Sequence, residues 1–309
     1  MPAERHAQRR LRNRLIVAAI RAALALAIRL PGRLPISLGA MLGRLAGRVA
    51  RRERSSCERH LAEAFGLPRA SPAIRATALR VFEHLGRAAG ELAWAWRSPE
   101  RVRALVRFAP GAVDAMRRLT AGGRGVLFVT GHVGNWELLA WAVRLAGFPS
   151  APVGRRTWDP ALDDLVLRWR SRFGSTPLRR ESPTVAAEIR EAIGRGVSVG
   201  VLVDQSTDLP SADVPFFGRP APTIVGPARL ALAHDVPVVV GWIRRCPDGL
   251  HVVEIEPSDP PPPDAADRAA EWTARWTATL ERAIRETPEQ WVWMHRRWER
   301  RYLQIPASR

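Results

Sequence analysis

The chain has 309 residues, of which 46% are hydrophobic and 25% are charged, and it carries a net charge of +18. This composition is typical of a folded globular protein and excludes disorder along the whole chain. The two cysteines, Cys57 and Cys246, exclude a disulfide framework and indicate a reducing compartment. The excess positive charge favours an acidic partner, which is nucleic acid, anionic lipid headgroups or an acidic carrier protein.

Residues 1–52 are predicted to form a basic arm followed by helices that associate with a membrane. The apolar stretch Leu15 to Leu30 is shorter than the roughly 20 residues that span a bilayer. On a helix, one stripe about 100° wide carries the basic side chains Arg10, Arg14, Arg21 and Arg29. Such an arginine edge on an apolar helix is typical of a segment in the membrane interface, and the similar stretch Ile36 to Val49 is expected to pair with it. A pair of soluble core helices and a spanning helix remain open as alternatives.

Residues 53–309 are predicted to form one α/β domain. Continuous apolar runs, typical of buried strands, occur at Val126 to Val129, Val197 to Val203 and Val236 to Ile243, and a more exposed strand is predicted at Leu250 to Ile255. Helices are predicted over 73–96, 112–120, 136–146, 160–173, 184–194, 223–234 and 264–286. Strands that alternate with helices predict a mixed, largely parallel sheet flanked by helices.

The run from Gly125 to Glu137 holds the clearest chemical signal, a strand that ends in a glycine-rich turn and enters a helix. Open α/β sheets bind ligands at this carboxyl end of their strands, and His132 is a candidate general base there. Glu137 lies about 140° further round a regular helix. The two side chains therefore meet only if His132 lies in the turn and Glu137 reaches back from the first helical turn. The carboxylate would then fix the imidazole tautomer, as the acid of a hydrolytic triad does.

The sequence offers no convincing nucleophile, because it has neither a Gly-x-Ser-x-Gly elbow nor a cysteine next to a histidine. This pattern favours direct attack by a bound hydroxyl over a covalent enzyme intermediate. No second histidine or cysteine lies at ligand spacing from His132. Neither a metal nor another cofactor is therefore expected.

The segment Gly131-His-Val-Gly-Asn-Trp-Glu137 resembles the signature of the bacterial lipid A biosynthesis acyltransferases, the lauroyl and myristoyl transferase family. Further stretches are similar to that family in the same order: Asp159-Pro-Ala-Leu-Asp163 with Arg168 and Arg170, Asp204-Gln205 with Val214 to Thr223, and Pro288 to Trp298. The resemblance implies a glycerolipid-acyltransferase-like fold. It also implies transfer of an acyl chain from acyl carrier protein, or from CoA, to a glycolipid hydroxyl at the cytoplasmic face of the inner membrane.

The same resemblance implies roles for individual residues. His132 would be the base and Glu137 its partner. Arg168 would meet an acceptor phosphate or the carbonyl oxygen, and Asp204 would help to shape the site. The other candidate substrate-binding residues are Asn135, Arg170 and Gln205.

Two alternatives remain open for the function. Within the enzyme class, the acceptor is another lipid, such as a phosphatidylinositol mannoside or a lysophospholipid. From a different class, a basic nucleic-acid-binding protein would explain the net charge of +18. It would not explain the apolar amino-terminal helix, and no helix-turn-helix, zinc-finger or RNP motif occurs in the sequence, so no nucleic-acid partner is expected.

Overall fold

The computed structural model describes residues 2–157 and 159–299, with the exception of the side chains of residues 2–12 and 14. Of the predicted arginine edge, the side chains of Arg10 and Arg14 therefore lie outside the described residues, whereas Arg21 and Arg29 are exposed. The helices are α1 (Pro2–Arg29), α2 (Leu34–Val49), α3 (Arg51–Phe65), α4 (Pro72–Ala95), α5 (Pro99–Arg103), α6 (Ala112–Thr120), α7 (Trp136–Leu145), α8 (Pro160–Arg170), α9 (Val185–Gly194), α10 (Gly226–His234) and α11 (Arg268–Glu286). The strands are β1 (Val106–Phe108), β2 (Leu127–Thr130), β3 (Ser150–Gly154), β4 (Leu178–Arg179), β5 (Ser198–Leu202), β6 (Ser211–Phe216), β7 (Arg219–Ile224), β8 (Val238–Arg245) and β9 (His251–Pro257).

Seven of the strands form one sheet in the order β1-β9-β8-β2-β5-β3-β4. All neighbours in this sheet are parallel except β8 and β9, which pair antiparallel. Strands β6 and β7 form a separate antiparallel hairpin. The predicted fold class, a mixed and largely parallel sheet flanked by helices, is confirmed.

The buried strands β2, β5 and β8 appear in the sequence as continuous apolar runs, and the central strand β2 shows the reason. Leu127 and Val129 belong to a core cluster that includes residues of α9, α10 and α11. Phe128 points to the opposite face and belongs to a cluster that includes residues of α7. Successive side chains of a strand alternate between faces, and here both faces are buried. Every position of β2 is therefore apolar except the last, Thr130.

Three differences between the predicted and the observed elements have local reasons. The predicted helix over 223–234 begins only at Gly226, because residues 219–224 pair with β6 as the strand β7. The strand β3 was not predicted, since its serine, proline and glycine residues interrupt any apolar run. The predicted helix over 264–286 begins at Arg268, after Asp267 accepts a hydrogen bond from the Ala270 N–H as an N-cap.

Helix α2 packs along α4, not along α1 as the sequence suggested. The two helices approach so closely that a Cβ on Gly39 would collide with the backbone of Gly86, and a Cβ on Gly86 with the backbone of Gly39. Gly43 and Gly90 are equally confined by the facing helix. Small residues spaced four apart are the usual means of such backbone contact. The glycines of α2 therefore lie on the face that meets α4.

Within residues 2–157 and 159–299, no helix combines the length and the hydropathy that crossing a bilayer requires.

Candidate active site

His132 and Asp204 meet at the carboxyl edge of the sheet. His132 lies two residues after the end of β2, and Asp204 lies two residues after the end of β5. Because β2 and β5 are adjacent and parallel, their carboxyl ends deliver both residues to one place. Gly131 makes the approach possible, since an added Cβ would lie only 2.9 Å from the Asp204 Oδ2 atom.

The Asp204 carboxylate accepts three hydrogen bonds. The His132 backbone N–H donates to Oδ2 at 2.6 Å, His132 Nδ1 donates to Oδ1 at 2.8 Å, and the Trp291 indole N–H donates to Oδ2 at 2.7 Å. An ionised carboxylate can only accept, so Nδ1 of the neutral imidazole carries the proton and Nε2 holds the free lone pair. The His132 side chain is 20% exposed, whereas that of Asp204 is 1% exposed.

The three donors keep the buried Asp204 charged. Burial alone would raise the pKa of this carboxyl. The His132 imidazole, the Trp291 indole and the His132 backbone N–H together outweigh burial and lower its pKa to about 2. Asp204 is therefore an anion at neutral pH that can orient the His132 ring and stabilise its protonated form.

Glu137 does not take the role that the sequence suggested. Its carboxylate binds Arg170, which donates from Nε at 3.1 Å to both oxygens and from Nη2 at 2.6 Å to Oε1. The partner of His132 is Asp204, so the expected pairing of Glu137 with His132 is corrected. The reason is geometric, because Glu137 lies in the first turn of α7 and faces the last turn of α8.

The turn that carries His132 is held from two sides at Gly134. This residue has a φ of +62°, a conformation that favours glycine, and the backbone of Ile243 occupies the space where a Cβ would be. Its N–H donates to the Gln290 carbonyl at 2.8 Å. Next to it, Val133 forms an isolated antiparallel bridge with Trp291. Residues 131–135, called the catalytic turn below, are thus fixed by β8 and by residues 288–298, called the carboxyl-terminal segment below.

Asn135, a candidate for substrate binding, is only 2% exposed and its amide is engaged within the protein. Its Oδ1 caps α7 by accepting from the Leu138 N–H at 3.3 Å. Its Nδ2 donates to the Ala88 carbonyl at 3.1 Å and to Glu91 Oε2 at 3.0 Å. These contacts favour a role in holding the turn over a contact with substrate.

The other candidates are Arg168, Arg170 and Gln205. Within the described part of the chain, none of them forms a hydrogen bond with His132 or Asp204. Arg168 and Arg170 are two residues apart on α8, which places them about 200° apart around the helix. The two side chains therefore point in different directions. Arg170 binds Glu137, whereas Arg168 is exposed and has no polar partner within the described part of the chain. Gln205 follows Asp204 and is half-buried.

An apolar cavity opens beside His132, with about 590 Å³ of empty space that is partly open to solvent. It lies between one face of the sheet and α7, and its lining includes Trp136 and Glu137, which directly follow the catalytic turn, and Arg170. The Trp136 ring meets the His132 ring edge-on, with 4.9 Å between centroids. The cavity follows β5 from Leu202 at the catalytic edge to Ser198, a distance of about 13 Å for four residues of strand.

Gly200 keeps the middle of the cavity open. It lies in β5 between Ser198 and Leu202 and lines the cavity with them. A Cβ placed on it would have the Cα atom of Pro152 as its nearest neighbour, at 3.7 Å. The space above this glycine is therefore available to a ligand.

Among the residues that the structure describes, no group of three or more histidine, cysteine, aspartate or glutamate side chains is arranged to hold a metal ion.

Two residues of the site, Trp291 and Glu91, were not predicted from the sequence. Trp291 falls within the family-like stretch Pro288 to Trp298 but was not predicted to be a site residue, although its indole N–H binds Asp204. Glu91 lies on α4, far from any motif, and nothing in its sequence context indicates that it contacts Asn135. Asp204 carried a usable signal, because it follows a buried strand at the same distance as His132 does.

Asp204 is expected to make stability depend on pH between about 4 and about 2. Its folded pKa lies below the ordinary 3.8, so its contribution is present above pH 3.8 and is lost as the pH falls toward 2. Asp204→Asn should therefore be less stable than wild type at neutral pH, by on the order of 2 kcal/mol, and the difference should shrink in acid. Denaturant unfolding of both proteins across this range measures it. A difference that does not vary with pH would contradict the assignment.

Comparisons with known proteins show the family to which the chain belongs. The family model described as "Bacterial lipid A biosynthesis acyltransferase" matches residues 3–300. The "Lipid A biosynthesis lauroyltransferase" of Escherichia coli (strain K12) is 30% identical over 239 residues, which is 75% of this chain and 75% of that protein. The family match spans both strand ends that meet at His132 and Asp204. The chain belongs to the bacterial lipid A biosynthesis acyltransferases and is an O-acyltransferase.

Proposed function

We propose that the protein moves a fatty acyl chain from the thioester of acyl carrier protein to a hydroxyl of a lipid A precursor, with His132 as the general base. The observation that carries the proposal is the 2.8 Å contact between His132 Nδ1 and the buried Asp204 carboxylate. This contact leaves Nε2 of a partly exposed ring to accept a proton. A base oriented by a buried acid is the arrangement that acyl-transfer enzymes use.

The step balances without a covalent enzyme intermediate. The acceptor hydroxyl oxygen attacks the thioester carbonyl carbon while His132 Nε2 takes its proton. The tetrahedral intermediate carries its negative charge on the former carbonyl oxygen. Its collapse restores the C=O bond, breaks the C–S bond and returns the proton from the imidazolium to the leaving thiolate. Asp204 stabilises the imidazolium between the two proton transfers.

Arg170 is proposed to stabilise the developing oxyanion. Arg170 lines the cavity, and Glu137 holds its guanidinium in place. A fixed cation near the reacting carbonyl is worth more in a partly dry site than in water. Glu137 thus acts through Arg170 instead of through His132. The exposed Arg168 is suited to a phosphate of the acceptor.

The apolar cavity is proposed to hold the donor acyl chain. Each buried methylene contributes about 0.8 kcal/mol to binding, so a largely apolar lining selects an alkyl chain over a polar group. With the acyl chain along β5 over Gly200, the thioester would lie at the end of the cavity near Trp136, whose ring contacts the His132 imidazole. The net charge of +18 supports an acidic carrier protein as the donor. Comparing turnover of acyl carrier protein thioesters and CoA thioesters tests this choice.

His132→Ala is expected to lower the transfer rate by roughly 10²- to 10⁴-fold, the usual contribution of a general base. The assay incubates purified protein with an acyl carrier protein thioester and a lipid A precursor that lacks secondary acyl chains. Mass spectrometry then follows the gain of one acyl group. His234→Ala removes an exposed histidine at the end of α10 and serves as the matched control. A His132→Ala enzyme at the wild-type rate would refute the mechanism, and a wild type without transfer would refute the function.

The amino-terminal segment 1–52 is proposed to bind the cytoplasmic surface of the inner membrane. Nearly all of the large exposed apolar side chains lie in α1 and α2, and those of α2 are Leu34, Leu38, Met41, Leu42, Leu45 and Val49. They lie opposite the glycine face that meets α4. Exposed arginines flank this apolar stripe at Arg44 and Arg48. Apolar side chains bordered by arginines suit a helix lying among anionic headgroups.

Replacing the centre of this stripe is expected to weaken membrane binding without unfolding the protein. The triple variant Leu38→Ser, Leu42→Ser and Leu45→Ser replaces three leucines that are 38%, 58% and 53% exposed. Flotation with vesicles that contain anionic phospholipid should recover several-fold less of it than of wild type. Leu67→Ser, an exposed leucine outside α2, is the control and should float like wild type. Equal flotation of the triple variant would exclude α2 as the binding surface.

A further inference from the structure

A cluster of buried polar residues contacts the catalytic turn at Gly134 and Asn135. It consists of Glu91 and His84 from α4, Arg245 from β8, His251 from β9 and Asn135 from the turn itself. The Glu91 side chain is 2% exposed and that of Arg245 is 9% exposed. None of these residues reaches the cavity beside His132.

Glu91 is the centre of this cluster. It accepts hydrogen bonds from Arg245 Nε at 2.6 Å, from Arg245 Nη2 at 2.8 Å and from Asn135 Nδ2 at 3.0 Å. The Nε2 atom of His251 lies 3.0 Å from Oε2. Burial would raise the pKa of Glu91, but these donors hold it well below its usual range. The carboxylate is therefore charged, and each of its oxygens accepts a hydrogen bond from Arg245.

His84 extends the cluster to the backbone of the turn. Arg245 Nη1 lies 2.7 Å from His84 Nδ1, and because an arginine can only donate, Nδ1 is the acceptor. The ring proton is then on Nε2, which donates to the Gly134 carbonyl at 3.1 Å. Burial and Arg245 lower the pKa of His84 to about 3, so the ring stays neutral. Its tautomer is set by the same arginine that binds Glu91.

We propose that Glu91 is a positioning residue for His132, acting through Asn135 and, by way of Arg245 and His84, through Gly134. These two residues of the catalytic turn follow His132 by three and two positions, and Glu91 is connected to both. The inference rests on the proposed function, since it concerns the placement of the base in that reaction.

The chemistry of the cluster supports positioning over stability alone. Burying an ion pair contributes little net stability, and well-packed apolar side chains often serve a fold as well or better. Directional donors instead fix a backbone to within a fraction of an ångström, which catalysis requires. The hydrogen bonds from His84 to Gly134 and from Asn135 to Glu91 both join the α4 residues of the cluster to the catalytic turn.

Two variants distinguish the loss of the Asn135 contact from the loss of the Glu91 charge at the centre of the cluster. Asn135→Ser keeps an oxygen that caps α7, because serine caps about as well as asparagine, but it removes the amide that donates to Glu91 and to the Ala88 carbonyl of α4. Glu91→Gln removes the charge and keeps the shape. Glu83→Gln is the matched control, since Glu83 also lies on α4 and pairs with Arg44 and Arg87 instead of the turn.

Asn135→Ser and Glu91→Gln are expected to lower kcat by roughly 10- to 100-fold, the cost of a small misplacement of a catalytic group. The KM values for donor and acceptor should change less than threefold, because the cluster does not line the cavity. In Asn135→Ser, which leaves the Glu91–Arg245 pair intact, hydrogen exchange followed by mass spectrometry should become faster in peptides that cover residues 131–138 and stay unchanged in α4 and β8. Glu83→Gln should match wild type in each measurement.

Wild-type kcat in Asn135→Ser would overturn the proposal, as would exchange in Asn135→Ser that is unchanged in the turn or is faster equally over the turn, α4 and β8. The exchange measurement needs no activity. If wild-type protein transfers no acyl group, the proposed function fails, while the exchange pattern still decides whether Glu91 holds the turn.

Discussion

The burial of the Asp204 charge is the constraint on which the site depends. A carboxylate that is almost entirely buried costs several kcal/mol unless donors surround it, and here the donors come from distant parts of the chain. The catalytic turn supplies the backbone N–H and the imidazole of His132, and the carboxyl-terminal segment supplies the Trp291 indole. The anion therefore ties two strand ends and the carboxyl-terminal segment together at the point where the base must lie.

Helix α4 connects this site to the amino-terminal helices. Its glycines at Gly86 and Gly90 meet the backbone of α2, and its polar residues His84 and Glu91 meet the catalytic turn. The apolar stripe of α2 points away from α4. One helix thus lies between the surface proposed for the membrane and the turn that carries the base.

Much of the fold was predictable because its causes are local. Apolar runs predicted β2, β5 and β8, and the strand-turn-helix pattern placed His132 in a turn at a strand end. The partner of His132 was not predictable in the same way, because it depends on which strands are neighbours. Glu137 is close in sequence but faces α8, whereas Asp204 is 72 residues away and faces the imidazole. Glu91 escaped detection for the same reason, since its contact with Asn135 spans 44 residues.

The central claim is that Asp204 holds the neutral His132 ring with its proton on Nδ1, which leaves Nε2 as the base. Nitrogen-15 NMR of histidine-labelled protein reports this tautomer directly, with His132 assigned by comparison with His132→Ala. The account predicts a protonated Nδ1 and an unprotonated Nε2 for the neutral ring, with that preference lost in Asp204→Asn. A neutral ring that carries its proton on Nε2 in the wild-type protein would contradict it.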